Sequence, residues 1–308
     1  MNYSNTFRFL NPHLHTTKAD SIHDIKNIYS VKRSPPIILR CSDIIRATLQ
    51  RNHTFDSVLF DKAHEVYYPR HIVKTVKRNP TGFFRIINAY TLWGNGYYHF
   101  LTEVLPSVLF IGKPYTIHCL ASSFASSVFQ WFGITNTVKM SPPDWSNIKE
   151  SVEQPYIECG NPSPEKITLL RKPICEKLTF TKTLGIVIYR SESVRKILNH
   201  DAVVSMLQTV YPQFEWVTFD RLSIAETATL FSKAGMIVAP HGAGLTNMIF
   251  SASGIPILEF MPLEKPNLCY WHLSELLGNR YTMIPLETEA GNFRVDIEMV
   301  KGLLPVCH

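Results

Sequence analysis

From about residue 184 onward, short fully apolar runs alternate with segments whose apolar positions recur at helical spacing. Leu184-Gly185-Ile186-Val187-Ile188-Tyr189 reads as a buried strand ending at Arg190. After a loop, Asp201 is a good N-cap, and Val203, Val204, Met206, Leu207 and Val210 lie on one helical face behind it. Phe214 to Phe219 predicts the next strand. Ser223-Ile224-Ala225-Glu226 is a capping box opening a helix that runs to about Lys233. Met236 to Ala239 is a third strand, and Pro240-His241-Gly242-Ala243-Gly244-Leu245 turns into a short helix. Ile255 to Phe260 and Tyr281 to Leu286 complete the series. Apolar strands alternating with helices predict parallel pairing in a doubly wound sheet.

The first half is less regular. Pro36 to Leu39, Ser57 to Phe60, Phe83 to Tyr90, Tyr115 to Leu120 and Thr137 to Met140 are candidate strands. Asn95 to Phe110 predicts a helix whose buried face is Phe100/Leu101, Val104/Leu105 and Val108/Leu109. His99 and Glu103, four residues apart, leave that helix on a shared face, and Pro106 should bend it just beyond them. Turn clusters at Ser141-Pro142-Pro143-Asp144 and Asn161-Pro162-Ser163-Pro164 place a domain linker between about Cys159 and Lys182. The expected organisation is two α/β domains, 1–170 and 171–308, with a cleft between them.

Composition narrows the classes. The 308 residues are 45% hydrophobic and 12% aromatic, which excludes disordered, collagen-like and coiled-coil chains. A net charge of +6, spread along the sequence, favours anionic small molecules and gives no contiguous stripe for nucleic acid. The six cysteines form no Cys-x-x-Cys pair, so buried free thiols are expected rather than a zinc or redox motif. The segment Ala234 to Leu258 carries no charged side chain, but its glycines and prolines suit strand, turn and strand, not a membrane span. With a polar N-terminus and no signal peptide, a soluble cytoplasmic protein is expected. Asn2 and Asn52 head glycosylation sequons that mean little without secretion.

Chemistry concentrates in three places. In His241-Gly242-Ala243-Gly244-Leu245-Thr246-Asn247, a strand ends, glycines permit close backbone approach and a helix begins, so unpaired N–H groups can hold a diphosphate. The third glycine of a dinucleotide fingerprint is missing, which disfavours an NAD-dependent oxidoreductase. Glu259, closing the next strand, is placed to accept hydrogen bonds from a ribose. Arg190 and Arg195, beyond the strand before, can clamp phosphate oxygens with forked hydrogen bonds. Tyr270, Trp271 and Tyr281 are either a stacking wall or core. Glu103 is a candidate base for a sugar hydroxyl, with His99 second; on spacing alone, an exposed helical pair is the favoured reading. No Asp-x-Asp triplet occurs, and the histidines lack ligand spacing, so no metal is expected.

Taken together, Gly96-Tyr97-Tyr98-His99-Phe100-Leu101-Thr102-Glu103-Val104-Leu105-Pro106, Ile188-Tyr189-Arg190 with Arg195 to Asn199, Pro240 to Asn247 and Glu259-Phe260-Met261-Pro262 resemble glycosyltransferase family 61 from roughly Trp93 to Tyr281. The resemblance implies a GT-B fold of two Rossmann-like domains. It implies an inverting transferase in which the C-terminal domain holds a UDP-sugar, the diphosphate lying on Arg190, Arg195, His241, Gly242, Ala243, Gly244, Leu245 and Asn247 and the nucleoside against Glu259 and Tyr270. It further implies xylose, ahead of N-acetylglucosamine, as the sugar, an oligosaccharide or glycoprotein glycan as acceptor, and no cofactor. A non-catalytic nucleotide- or sugar-binding module is the alternative.

Overall fold

The computed structural model describes residues 94–111, 116–119, 121–140, 162, 164–191, 194–263, 267 and 269–304, and elsewhere the backbone of the strands named below. The chain divides into two compact units, Ser34–Pro173 and a second made of Ile174–His308 with Met1–Arg33. Cys41, Trp93, Cys307, the side chain of Cys159, the sequons at Asn2 and Asn52 and the Ser141 to Asp144 turn lie outside the described residues.

Strand β1 (Phe7–Phe9) belongs to the second unit. In the first, β2 (Ile37–Ile38) pairs antiparallel with β10 (Glu158–Cys159), and β3 (His53–Phe55), β4 (Val58–Asp61) and β5 (Val66–Pro69) form an antiparallel meander. A parallel sheet follows, made from β6 (Phe84–Asn88), β7 (Thr116–His118), β8 (Val138–Lys139) and β9 (Ser151–Glu153) in the order β8-β7-β6-β9. Strand β4 answers the candidate at Ser57 to Phe60, whereas β1, β3, β5, β9 and β10 have no counterpart in the sequence reading. Two to four residues are too few for a period-2 pattern to show.

The helix expected from Asn95 to Phe110 is three segments: α1 (Tyr97–His99), a π-helical turn (Phe100–Val104) and α2 (Leu105–Ile111). The Leu105 N–H reaches five residues back to the Phe100 carbonyl. Pro106 accounts for the wide turn, since it has no N–H and its ring crowds the carbonyl four residues earlier. Phe100, Leu101, Val104 and Leu105 are fully buried. Phe100 packs on Phe129 of α3 (Ala125–Trp131) with ring centroids 5.1 Å apart. Where a linker is expected, the chain forms the fourteen-residue α4 (Pro164–Lys177), in which Pro164 occupies the first turn and tolerates its missing donor. Pro173 within it hides the helical pattern from a sequence reading.

The second unit is a six-stranded parallel sheet in the order β1-β15-β14-β13-β11-β12. Its strands are β11 (Leu184–Ile188), β12 (Glu215–Phe219), β13 (Ala234–Pro240), β14 (Pro256–Pro262) and β15 (Arg280–Leu286), with β1 added at the edge as Phe7↔Tyr281 to Phe9↔Met283. This is the parallel α/β arrangement expected from the apolar runs. Helix α5 (His200–Val210) and, near the C-terminus, α8 (Ile297–Leu303) contact each other. Their Val203, Met206, Leu207 and Val300 join Val187, Val238, Leu258, Phe260 and Ile284 in one core. Helix α6 (Ile224–Ser232) and α7 (Cys269–Leu276) each contact a 3₁₀ helix, Ala243–Phe250.

Local signals held at α6. The Ser223 Oγ accepts from the Glu226 N–H at 3.3 Å while the Ser223 N–H donates to Glu226 Oε2 at 2.9 Å. The Ser223 hydroxyl, donating to Oε2 at 2.6 Å, and then that N–H hold the Glu226 carboxyl below its ordinary range. They failed at α5, where the N-cap is Asn199 and Asp201 lies in the first turn. Asn199 does not cap with its side chain, because its amide donates to the Val295 carbonyl at 2.8 Å and accepts from the Val295 N–H at 2.9 Å. Of the thiols expected to be buried, Cys119 is, and burial pushes it up to about 11; Cys269 is half-buried and Cys175 is exposed. Among the described residues no helix is long and apolar enough to cross a membrane.

Candidate functional site

With β11 flanked by β12 on one side and β13 on the other, chain direction diverges between β11 and β13. A doubly wound sheet opens a crevice there, beyond the carboxyl ends of its strands. Arg190 lies two residues past β11 and His241 one residue past β13. The His241 N–H donates to the Phe260 carbonyl at 2.8 Å, which carries the β13–β14 ladder one residue beyond the strand. Gly242 is extended, with φ 162°, so its glycine answers a need for space. A Cβ there would lie 1.9 Å from Arg190 Nη1, and one on Gly244 would lie 2.9 Å from Ile188 Cγ2. The turn is therefore seated on the end of β11, under the guanidinium.

The helix that follows is 3₁₀, and its first closing bond runs from the Leu245 N–H to the Gly242 carbonyl at 3.0 Å. The Gly242, Ala243 and Gly244 amides precede that closure and have no acceptor within the helix. Ala243 is exposed. Leu245 and Asn247 are buried, and the Leu245 N–H is already used. Of the residues expected to meet a diphosphate, Arg190, His241, Gly242, Ala243 and Gly244 gather at the turn, while Leu245 and Asn247 sit inside it. Arg190 Nε donates to the Val194 carbonyl at 3.1 Å. Burial, and then the charge of Arg195, lower the Arg190 guanidinium, with Tyr270 opposing. Arg195 is held at φ 67° with its N–H on the Gly291 carbonyl at 2.7 Å. Two half-buried guanidiniums that repel each other form a place where an anion is stabilising.

Glu259 does not lie at a strand end facing a ribose. It sits within β14, fully buried, on the face opposite Leu258 and Phe260. Its Oε1 is 2.5 Å from His241 Nδ1, and its Oε2 accepts from the Tyr281 hydroxyl. Register explains the second contact: Ile257 pairs with Tyr281 and Glu259 with Met283, so Tyr281 is the diagonal neighbour on the same face. Both oxygens are engaged within the protein, which redirects Glu259 from a ribose to His241. Tyr270 is buried too, its ring centroid 5.2 Å from that of His241. Burial raises both tyrosine hydroxyls well above their ordinary value, Tyr270 further through Cys269 and Glu259, and Tyr281 through Glu259. Trp271 is core.

In the first unit, His99 and Glu103 are paired, with Nδ1 and Oε1 2.5 Å apart. The two ends differ sharply in access: the His99 side chain is 27% exposed and that of Glu103 is 0%. The pair is thus neither two solvated charges nor a carboxyl open to substrate. It is a partly exposed imidazole backed by a buried acid, within the π turn that Pro106 causes.

Sequence reasoning missed a cavity of about 400 Å³ lined by Tyr189, Leu198, Asn199, His200, Asp201 and Thr218. It lies at the carboxyl ends of β11 and β12, where Tyr189 follows the first strand and Thr218 belongs to the second. His200 Nε2 is 3.0 Å from Thr218 Oγ1 and its ring meets Tyr189 edge-on at 4.9 Å. Burial lowers the His200 imidazole against the pull of Asp201. The histidine just past the predicted strand and loop was the available signal, but a lone His carries none of its surroundings in the sequence. Among the described residues, no three His, Cys, Asp or Glu side chains converge as a metal site.

Comparison with known proteins matches residues 97–258, more than half of the chain, to the family model described as Glycosyltransferase 61. Three relatives are similar to it. The EGF domain-specific O-linked N-acetylglucosamine transferase of Drosophila melanogaster is 29% identical over 111 residues, covering 36% of this chain and 20% of that protein. The Xenopus laevis protein of that name is 31% identical over 99 residues, 31% of this chain and 18% of its own. The Mus musculus protein is 32% identical over 104 residues, again 31% and 18%. The chain spans about a fifth of the length of the curated relatives it matches.

Proposed function

The chain belongs to glycosyltransferase family 61, and from that premise we propose that it transfers a sugar from a UDP-sugar to a hydroxyl of a glycan or glycoprotein. The observation that carries this is the Arg190 guanidinium lying against Gly242, so near that a Cβ would fall 1.9 Å from Nη1. A cation and three unclosed amides then meet at the switch point of a parallel sheet, an arrangement suited to a diphosphate. The diphosphate lies on Arg190, Arg195, His241 and the amides of Gly242, Ala243 and Gly244. Fixed cations and oriented N–H groups supply the charge a divalent ion would otherwise bring. The nucleoside occupies the cavity beside Tyr189 and His200, whose volume of about 400 Å³ falls within the usual range for ligand pockets.

The acceptor oxygen attacks C1 of the sugar from the side opposite the diphosphate, the C1–O bond to UDP breaks, and configuration inverts. His99 takes the acceptor's proton, since it is the accessible member of its pair, and Glu103 behind it orients the ring. The second unit carries the donor site. UDP-N-acetylglucosamine precedes UDP-xylose as donor because the matched relatives are named for N-acetylglucosamine transfer; their names give xylose no support.

The test is a panel of UDP-sugars incubated with the purified chain, following UDP release with and without EDTA. Release from UDP-N-acetylglucosamine that survives EDTA is expected. UDP binding without release from any donor favours a non-catalytic nucleotide-binding module, and absence of UDP binding overturns the reading altogether.

A further inference from the structure

Glu259 is an expensive residue to place where it is. Its side chain is fully buried in a parallel sheet, between Leu258 and Phe260 of an apolar core on the opposite face. Burying a carboxyl group costs several kcal/mol unless partners compensate, and an apolar side chain would fill the same space without that cost. Its two partners are specific: the His241 ring on Oε1 at 2.5 Å, and the Tyr281 hydroxyl on Oε2. A carboxyl oxygen that accepts from Nδ1–H selects one tautomer of the imidazole and one rotation of its ring. No described residue is hydrogen-bonded to the other ring nitrogen, Nε2, and His241 directly precedes the glycine on which Arg190 rests.

We propose that Glu259, itself held by Tyr281, is a positioning residue for the donor site: it locks the His241 ring with Nδ1 inward so that Nε2 meets a diphosphate oxygen beside Arg190. The inference rests on the UDP-sugar reading above and assigns Glu259 a task there that does not involve touching the nucleotide. Groups against the His241 ring are Glu259 from β14 and Tyr270 from α7; Tyr281 from β15 reaches Glu259, and the Arg190 guanidinium from the loop after β11 borders the adjoining Gly242. Tyr270 packs edge-on against the ring, which limits rotation but selects no tautomer.

The test compares Glu259→Leu, Glu259→Gln and Tyr281→Phe with the wild type, using UDP as the probe. The Nδ1–H signal of His241 is followed by ring ¹H–¹⁵N correlation and assigned by its loss in His241→Gln. In Glu259→Leu, whose side chain suits the apolar surroundings, that signal should disappear into exchange with water. UDP dissociation should rise about tenfold, the loss of one charge-assisted hydrogen bond. Glu259→Gln keeps an oxygen acceptor for Nδ1–H and should restore the signal and most of the affinity, a rescue that a role in packing alone would not show. Tyr281→Phe should broaden the signal and raise the dissociation constant a fewfold. A wild type that binds UDP, with unchanged affinity in Glu259→Leu or no rescue by Glu259→Gln, overturns this inference and leaves the UDP-sugar reading standing. A wild type that does not bind UDP removes both.

Discussion

Two histidine rings in this molecule rest on buried carboxyl groups, each with Nδ1 and Oε1 2.5 Å apart. His99 and Glu103 occupy successive turns of one helix, and the ring is 27% exposed; His241 follows the end of β13 while Glu259 lies within neighbouring β14, and the ring is 10% exposed. The second acid has an additional partner in Tyr281. Equal geometry at the nitrogen therefore does not mean equal chemistry. Access decides what the ring can do: an imidazole open to a substrate hydroxyl can take its proton, whereas one enclosed beside two guanidiniums can hold an anion. A buried acid orients the ring in both cases.

The widest separation between the two pairs should come from His99→Gln. Removing a general base costs about 10²–10⁴ in kcat, and UDP affinity measured by calorimetry should be unchanged; turnover near the wild-type value would take the proton-transfer role from His99. Arg190→Ala tests the other side. It should raise the UDP dissociation constant roughly ten- to a hundredfold, the equivalent of one or two charge-assisted hydrogen bonds, and unaltered binding would separate the turn from the nucleotide. The two glycines sharpen the picture. Gly242→Ala forces Arg190 aside and should raise the donor KM by about tenfold, with little change in melting temperature. Gly244→Ala drives into Ile188 and should cost about 1–3 kcal/mol in thermal unfolding as overpacking does, with affinity nearly kept. A reversal of that pattern would mean that space at Gly242 serves packing alone.

The smallest effect expected at neutral pH concerns the hydroxyl that braces the second pair. Burial raises Tyr281 and Tyr270 well above the ordinary value of 10, whereas tyrosines of an unfolded chain ionise near pH 10. The folded state favours the protonated form, so this contribution to stability is intact below about pH 10 and is lost as pH rises beyond it. In an alkaline titration, tyrosinate absorbance from these two residues should appear only together with loss of circular dichroism. Ionisation of all tyrosines near pH 10 with the fold retained would show that neither is sealed in.

The first pair was legible in the sequence as a spacing. Four residues on a helix bring two side chains together wherever the helix sits, and Pro106 announces its irregular turn. Its burial was not legible, which is why Glu103 reads as the candidate base in the sequence whereas the exposed member of the pair is His99. The second pair was half legible. His241, Gly242 and Arg190 follow from strand ends in a parallel sheet, whereas the order of its strands came only with the fold. Glu259 looks the same in sequence whether it ends its strand or sits inside it, and β14 runs on to Pro262, so the carboxyl faces inward. Asp201 failed as a cap for a related reason: Asn199, which caps instead, spends its side chain on Val295, ninety-six residues away.

Periodicity, turn residues and local spacing are properties of neighbours along the chain, and they determined the parallel α/β sheet of the second unit, the His241 turn and the His99/Glu103 pair. Which carboxyl is enclosed, which ring is open and where a cavity forms beside Tyr189 and His200 depend on segments far apart in sequence. Those were decided only by tertiary structure, because burial and desolvation belong to the packed assembly and not to any stretch of residues.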